Sequence, residues 1–168
     1  VLDNPNAELK EFGYLHKEMT DPSEFVYENL KSIIGTSGSI IVWNKSYEAG
    51  INTKIGERIP STANFFDDIN NRLYDLRDIF EKHMYVHPQA QGRSSLKKIL
   101  PAVAPELSYK ELDVQDGTQA MSEWLKMVSK ESDEKTKQKI TEDLCKYCSM
   151  DTYAMYAIWK HLQEKILN

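Results

Sequence analysis

At 168 residues the chain is long enough for one domain, residues 1–168, with a sizeable core. Its 26 acidic against 21 basic side chains, a net charge of −5, argue against a domain that coats duplex nucleic acid through a basic face. No apolar run is long enough to span a bilayer, and the opening "VLDNPNAELKEF" lacks a signal peptide's basic and apolar segments, so a cytoplasmic protein without membrane contact is expected.

In chain order, "EFGYLHKEM" alternates loosely and predicts a short strand. "DPSEFVYENLKSII" follows with Asp21 as N-cap, Pro22 in the first helical position and apolar residues at helical spacing. "SIIVW", residues 39–43, is β-branched and apolar on both faces, the pattern of a strand covered on two sides. Asn44 ends it and is placed to cap the helix that begins "KSYEAGI". This strand–cap–helix unit is the clearest α/β signal in the chain.

Beyond Pro60, residues 63–84 carry Phe65, Phe66, Ile69, Leu73, Leu76, Ile79 and Phe80 at helical spacing, which predicts one long amphipathic helix. "YVHPQAQGR" reads as a loop, and "SSLKKILPAVAPEL" as a helix at its start, stopped by its two prolines. The remaining helical stretches are "DVQDGTQAMSEWLKMVS", "DEKTKQKITEDLCKYC" and "DTYAMYAIWKHLQEKIL", the last two as one bent helix or as two. Helix exceeds strand by far, and the strands are too few for a complete sheet.

Projected at about 100° per residue, Leu144, Cys148, Met155, Ile158 and Leu162 share a stripe, with Asp151 in its middle and Tyr147 one turn before it. A carboxylate aimed into a core needs a partner: an Arg or Lys, backbone donors or a metal ion. The competing reading has Asp151 capping a second helix that begins "TYAM". Cys145 and Cys148 form a Cys-x-x-Cys pair, but no second ligand pair suits a structural zinc. The pair also lies within a helical run and not at a helix start, where a redox thiolate is stabilised. Cys148 is therefore expected to be a small buried apolar residue.

Glu48 falls in the first turn after Asn44, where an acidic side chain complements the helix dipole. Asn44-x-x-x-Glu48 after a strand resembles the second motif of the DnaQ-like (DEDD) 3′–5′ exonuclease superfamily, and Tyr147-x-x-x-Asp151 resembles its third motif in the tyrosine form. With "RLYDL", "SSLKKILP" and "LDVQDGTQAMSEWL" in similar order, the chain from about Tyr14 onward resembles an uncharacterised bacterial family of predicted RNase H-like nucleases.

The resemblance implies a helix-rich α/β fold, RNase H-like, and hydrolysis of nucleic-acid phosphodiesters with two Mg²⁺ or Mn²⁺ ions. It implies Asp151 and Glu48 as metal ligands and Tyr147 as the group that orients the attacking water. The superfamily's first motif, Asp-x-Glu on the opening central strand, occurs nowhere in this sequence. The expectation is thus the C-terminal part of such a domain, lacking its N-terminal strands and inactive alone. The alternative is a non-catalytic interaction or scaffold module that keeps the fold without the metal site.

Single-stranded DNA or RNA ends are the expected substrates. A homo-oligomer or an upstream domain is the expected means of completing the sheet. Asn44, Arg93 and Lys97 are candidate substrate contacts, the last two beside the hydroxyls of "GRSSLKK" at a helix start. Those charges are better read as simply solvated. Tyr14, Tyr27, Trp43, Tyr85, Trp124 and Trp159 could stack bases but are better read as core or half-buried.

Overall fold

The computed structural model describes residues 1, 2, 4 and 6–167. Helices dominate: α1 (Ser23–Ile33), α2 (Lys45–Arg58), α3 (Ala63–Arg72), α4 (Asp78–Glu81), α5 (Leu96–Val103), α6 (Gly117–Val128) and α7 (Glu134–Leu167). Two short strands, β1 (Ile40–Val42) and β2 (Leu73–Asp75), pair as a parallel two-stranded sheet. The chain divides into two compact units, residues 1–40 with 46–73, and residues 41–45 with 74–168.

In the first unit, Asp21 accepts hydrogen bonds from the Ser23 backbone N–H at 2.9 Å and its hydroxyl at 2.6 Å, fixing the start of α1. The sequence placed Asp21 at the cap itself; the helix starts one residue later, with Pro22 at the cap position. Arg58 in the last turn of α2 pairs with Asp21 at 2.7 Å. A Cβ on Gly56 would lie 3.2 Å from the Ala63 backbone, so the close approach of α2 and α3 at this turn favours a residue without one. Tyr27 meets Phe65 edge-on at 5.2 Å, and Phe66 and Ile69 are buried. The strand expected over "EFGYLHKEM" is absent: these residues are irregular, tied locally by Tyr14, His16 and Thr20.

The single helix expected over residues 63–84 is instead α3, β2 and α4. Leu73 turns extended (φ −65°, ψ 127°), ending α3 after "NNR", where two asparagines weaken the helix. Arg72 holds that end with its guanidinium on Asp68 at 2.7 Å and on the Ser37 carbonyl at 3.1 Å.

In the second unit, Leu76 donates its backbone N–H to the Val42 carbonyl at 2.9 Å. Within β1 only Val42 is buried, so the strand expected to be covered on both faces is half-exposed. Asp75 accepts from the backbone N–H of Lys45 at 2.8 Å and of Arg77 at 3.1 Å, closing the ends of both strands. Trp43 donates its indole N–H to the Ser94 carbonyl at 3.1 Å and packs on Phe80.

Pro101 lies inside α5 and not at its end, since the helix reaches Val103. A proline in the second turn forgoes few intrahelical bonds in so short a helix. Helices α5 and α6 both pack on α7, whose buried stripe is Ile140, Leu144, Tyr147, Ala154, Ile158 and Leu162. No helix among the described residues is long and apolar enough to cross a membrane.

Candidate functional site

The α7 helix decides between the readings of Asp151. It runs without a break from Glu134 to Leu167, so Asp151 is an interior helical residue and caps nothing. Asp133 does the capping, 18 positions earlier, accepting from the Thr136 N–H at 2.8 Å. Asp151 sits half-buried between Tyr147 and Ala154 on the stripe that α7 turns toward its neighbours.

Its partner comes from a loop. Between α5 and α6 the chain makes a short 3-10 turn, Tyr109–Glu111, whose entry is set by Ser108 accepting from the Lys110 N–H at 3.1 Å. Tyr109 donates its hydroxyl to Asp151 Oδ1 at 2.7 Å. Tyr147 lies one turn before Asp151 on α7, and the Tyr109 and Tyr147 rings lie 6.4 Å apart. Both tyrosines are buried, 8% and 9% exposed, and the carboxylate is the polar partner of the Tyr109 hydroxyl.

Burial raises the pKa of both tyrosines, and the Asp151 charge beside them raises it further. Both stay protonated across the physiological range and act as donors, and a hydrogen bond to an ionised acceptor is about twice as strong as a neutral one. A carboxylate has about four acceptor positions, so the Tyr109 phenol leaves capacity for further donors or a cation.

Lys97 belongs to the same cluster. Its ammonium lies 5.6 Å over the centre of the Tyr109 ring and bonds the Gln115 carbonyl. Thus Lys97, Tyr147 and Asp151, three of the residues singled out from sequence, converge around a fourth that was not. Tyr109 escaped because "PELSYKEL" has no periodicity and its partner is 42 positions away. One signal pointed to it: a carboxylate in an apolar stripe needs a donor, and a tyrosine brings one on an apolar ring.

Arg93 and Asn44 are exposed elsewhere in the second unit, Arg93 in the loop before α5 and Asn44 directly after β1. Glu48 belongs to the first unit, exposed in the first turn of α2, with its pKa raised by partial desolvation.

Cys148 is exposed, contrary to the expectation of a buried residue, and so is Cys145; both are free thiols. The stripe steps by four and three residues and takes Tyr147 and Ala154, not Cys148 and Met155. His83 adopts positive φ (54°) and His87 precedes a 3-10 turn, so they do not share a helix face. Of the aromatic residues, Tyr27, Trp43, Tyr85, Trp124 and Trp159 are half-buried and Tyr14 is exposed.

A domain of unknown function (DUF2779) matches residues 1–95. The chain belongs to that family. The matched span carries α1 to α4, Asn44 and Glu48, and stops before Lys97, Tyr109, Tyr147 and Asp151.

Among curated proteins, the chain is similar to uncharacterized protein UU173 of Ureaplasma parvum serovar 3. The two are 28% identical over 186 residues, which covers 94% of this chain and 26% of that protein. It is likewise similar to the uncharacterized protein MG366 homolog of Mycoplasma pneumoniae, 28% identical over 173 residues, 88% of this chain and 25% of the relative. This DUF2779 chain therefore spans about a quarter of the length of these relatives. No solved structure matches it.

Proposed function

We propose that this DUF2779 chain is part of an RNase H-like 3′–5′ exonuclease domain that hydrolyses phosphodiesters at single-stranded DNA or RNA ends with Mg²⁺ or Mn²⁺. The observation that carries the reading is Asp151: an interior helical carboxylate on a buried stripe, one turn after Tyr147, held by the Tyr109 hydroxyl.

As a ligand, Asp151 fits in kind, since such ions take hard oxygen donors. Among the described residues no group of three or more His, Cys, Asp and Glu side chains could hold a metal ion, so the fit extends to one ligand and not to a set. In this reading carboxylates from outside these residues complete the set. Two such ions, when bound, polarise the phosphodiester and lower the pKa of the attacking water. The chain's own groups do the positioning: Asp151 presents a carboxylate oxygen, and Tyr147 presents a protonated phenol one helical turn away for the water. Lys97, with Arg93 and Asn44, offers polar contacts to the nucleic-acid backbone.

The second reading is a scaffold module with no hydrolysis. It is favoured by the same cluster, because the Tyr109 hydroxyl already satisfies Asp151 without any ion. One experiment separates the two. Full-length protein is incubated with labelled single-stranded oligonucleotides and Mg²⁺, Mn²⁺ or EDTA. Metal-dependent shortening, abolished by Asp151→Asn with the thermal midpoint preserved, supports the exonuclease. Full activity in Asp151→Asn rejects it, and a folded protein with no metal-dependent activity supports the scaffold.

A further inference from the structure

We infer that the first unit carries a pocket for an aliphatic amine or guanidinium cation, between α2 and α3, a site independent of the exonuclease reading. Two small residues set its shape. Gly56 in α2 and Ala63 at the start of α3 approach so closely that a Cβ on Gly56 would stand 3.2 Å from the Ala63 backbone. Beside this approach the helices leave a cavity of about 290 Å³, with Gly56, Pro60, Ala63 and the buried Phe66 as its apolar lining. That volume sits at the low end for small-molecule sites and suits a ligand the size of one long side chain.

The polar lining selects the ligand. Asn52, Thr53 and Glu57 contribute from α2, and Asp67 from α3. The Thr53 hydroxyl donates to the Ala49 carbonyl at 2.9 Å, and the Asn52 amide donates to Asn70 Oδ1 at 2.8 Å. With those donors engaged, what remains to a ligand is chiefly acceptors: two carboxylates and the amide and hydroxyl oxygens. Among the described residues no Lys, Arg or His lines the cavity, and neither Glu57 nor Asp67 has an ion-pair partner. An anion would meet two like charges here, and a purely apolar molecule would leave the acceptors unanswered. A divalent ion asks for oxygen on every side, whereas half of this lining is apolar. An alkylammonium or alkylguanidinium matches both halves, with N–H donors for the oxygens and a methylene stem for Phe66, Ala63 and Pro60. Free polyamines and the Lys or Arg side chains of a basic peptide share that chemistry.

Equilibrium dialysis of radiolabelled agmatine against full-length protein at low salt tests the inference, with spermidine and acetyl-Gly-Arg-Gly-amide as competitors. Saturable binding is expected. Glu57→Gln and Asp67→Asn should each weaken it about threefold, and the double variant about tenfold, as for exposed charge pairs. Glu24→Gln removes the same charge from α1, outside the lining, and should leave affinity unchanged. All three side chains are exposed, so the variants should fold, and their thermal midpoints check this. Absence of saturable binding overturns the inference, as does wild-type affinity in the double variant. An equal loss in Glu24→Gln also overturns it, because the attraction would then be to the net charge and not to a pocket. Given the expected losses, stronger competition by the peptide assigns the pocket to a basic protein segment, and stronger competition by spermidine assigns it to a free polyamine.

Discussion

A buried phenol and a half-buried carboxylate each carry a cost that the other offsets. A phenol shielded from water needs an acceptor and a carboxylate needs donors, and the Tyr109 hydroxyl satisfies Asp151 while Asp151 satisfies it, with the Tyr147 ring beside the pair. The same charge reaches Cys148, whose thiol is raised first by partial burial and then by Asp151 and Cys145. A raised thiol pKa means less thiolate at a given pH, and the thiolate is the reactive form. Iodoacetamide labelling of Cys148, followed by peptide mass spectrometry in EDTA, is therefore expected to be slow at neutral pH and to climb at a pH above that of an ordinary thiol. Asp151→Asn removes the negative charge, lowers the Cys148 pKa and should speed labelling severalfold, with the shift toward lower pH. Labelling unaffected by the substitution would mean that the carboxylate does not face the thiol. That Asp151 was special could be read from periodicity, because a single charged residue interrupts an otherwise apolar stripe. What satisfies it could not, because Tyr109 is near only in three dimensions.

Among the elements, α7 separates two readings that sequence left level. A helix start at Asp151 would make Thr152 its first residue, the position where proline is welcome. In the uninterrupted helix Thr152 is interior, and its hydroxyl bonds the Cys148 carbonyl at 3.1 Å. Thr152→Pro is expected to lower stability by about 3 kcal/mol in urea denaturation. A variant as stable as wild type would restore the two-helix reading. Residues 63–84 show the opposite kind of error. The positions expected to be buried largely are, with Phe66, Ile69, Leu73, Leu76 and Phe80 in the core, yet they belong to α3, β2 and α4. A spacing of three from Leu73 to Leu76 suits a helix, and here it also suits a strand followed by a turn. The hydrogen bond that chose, from the Leu76 N–H to the Val42 carbonyl, joins residues 34 positions apart and leaves no local trace. Residues 39–43 were legible as a strand because β-branched residues between turn residues have few other uses.

For the molecule as a whole, helix makes up 61% against a small two-stranded parallel sheet. Sequence similarity reaches nearly the whole chain but only about a quarter of each relative. A carboxylate set is a property of the whole protein, and the described residues contain no three-ligand group. If the exonuclease reading holds, these 168 residues expressed alone should fold and yet leave a labelled single-stranded oligonucleotide intact in Mn²⁺, while the full-length protein shortens it. The comparison is made at equal molar concentration, with circular dichroism confirming helix in the short chain. Hydrolysis by the short chain, lost on Asp151→Asn, would show that 168 residues hold a complete ligand set, and the need for carboxylates from outside would fall. Inertness of both proteins would transfer the argument to the scaffold reading. In that case the phenol–carboxylate cluster serves only to fasten the loop between α5 and α6 onto α7.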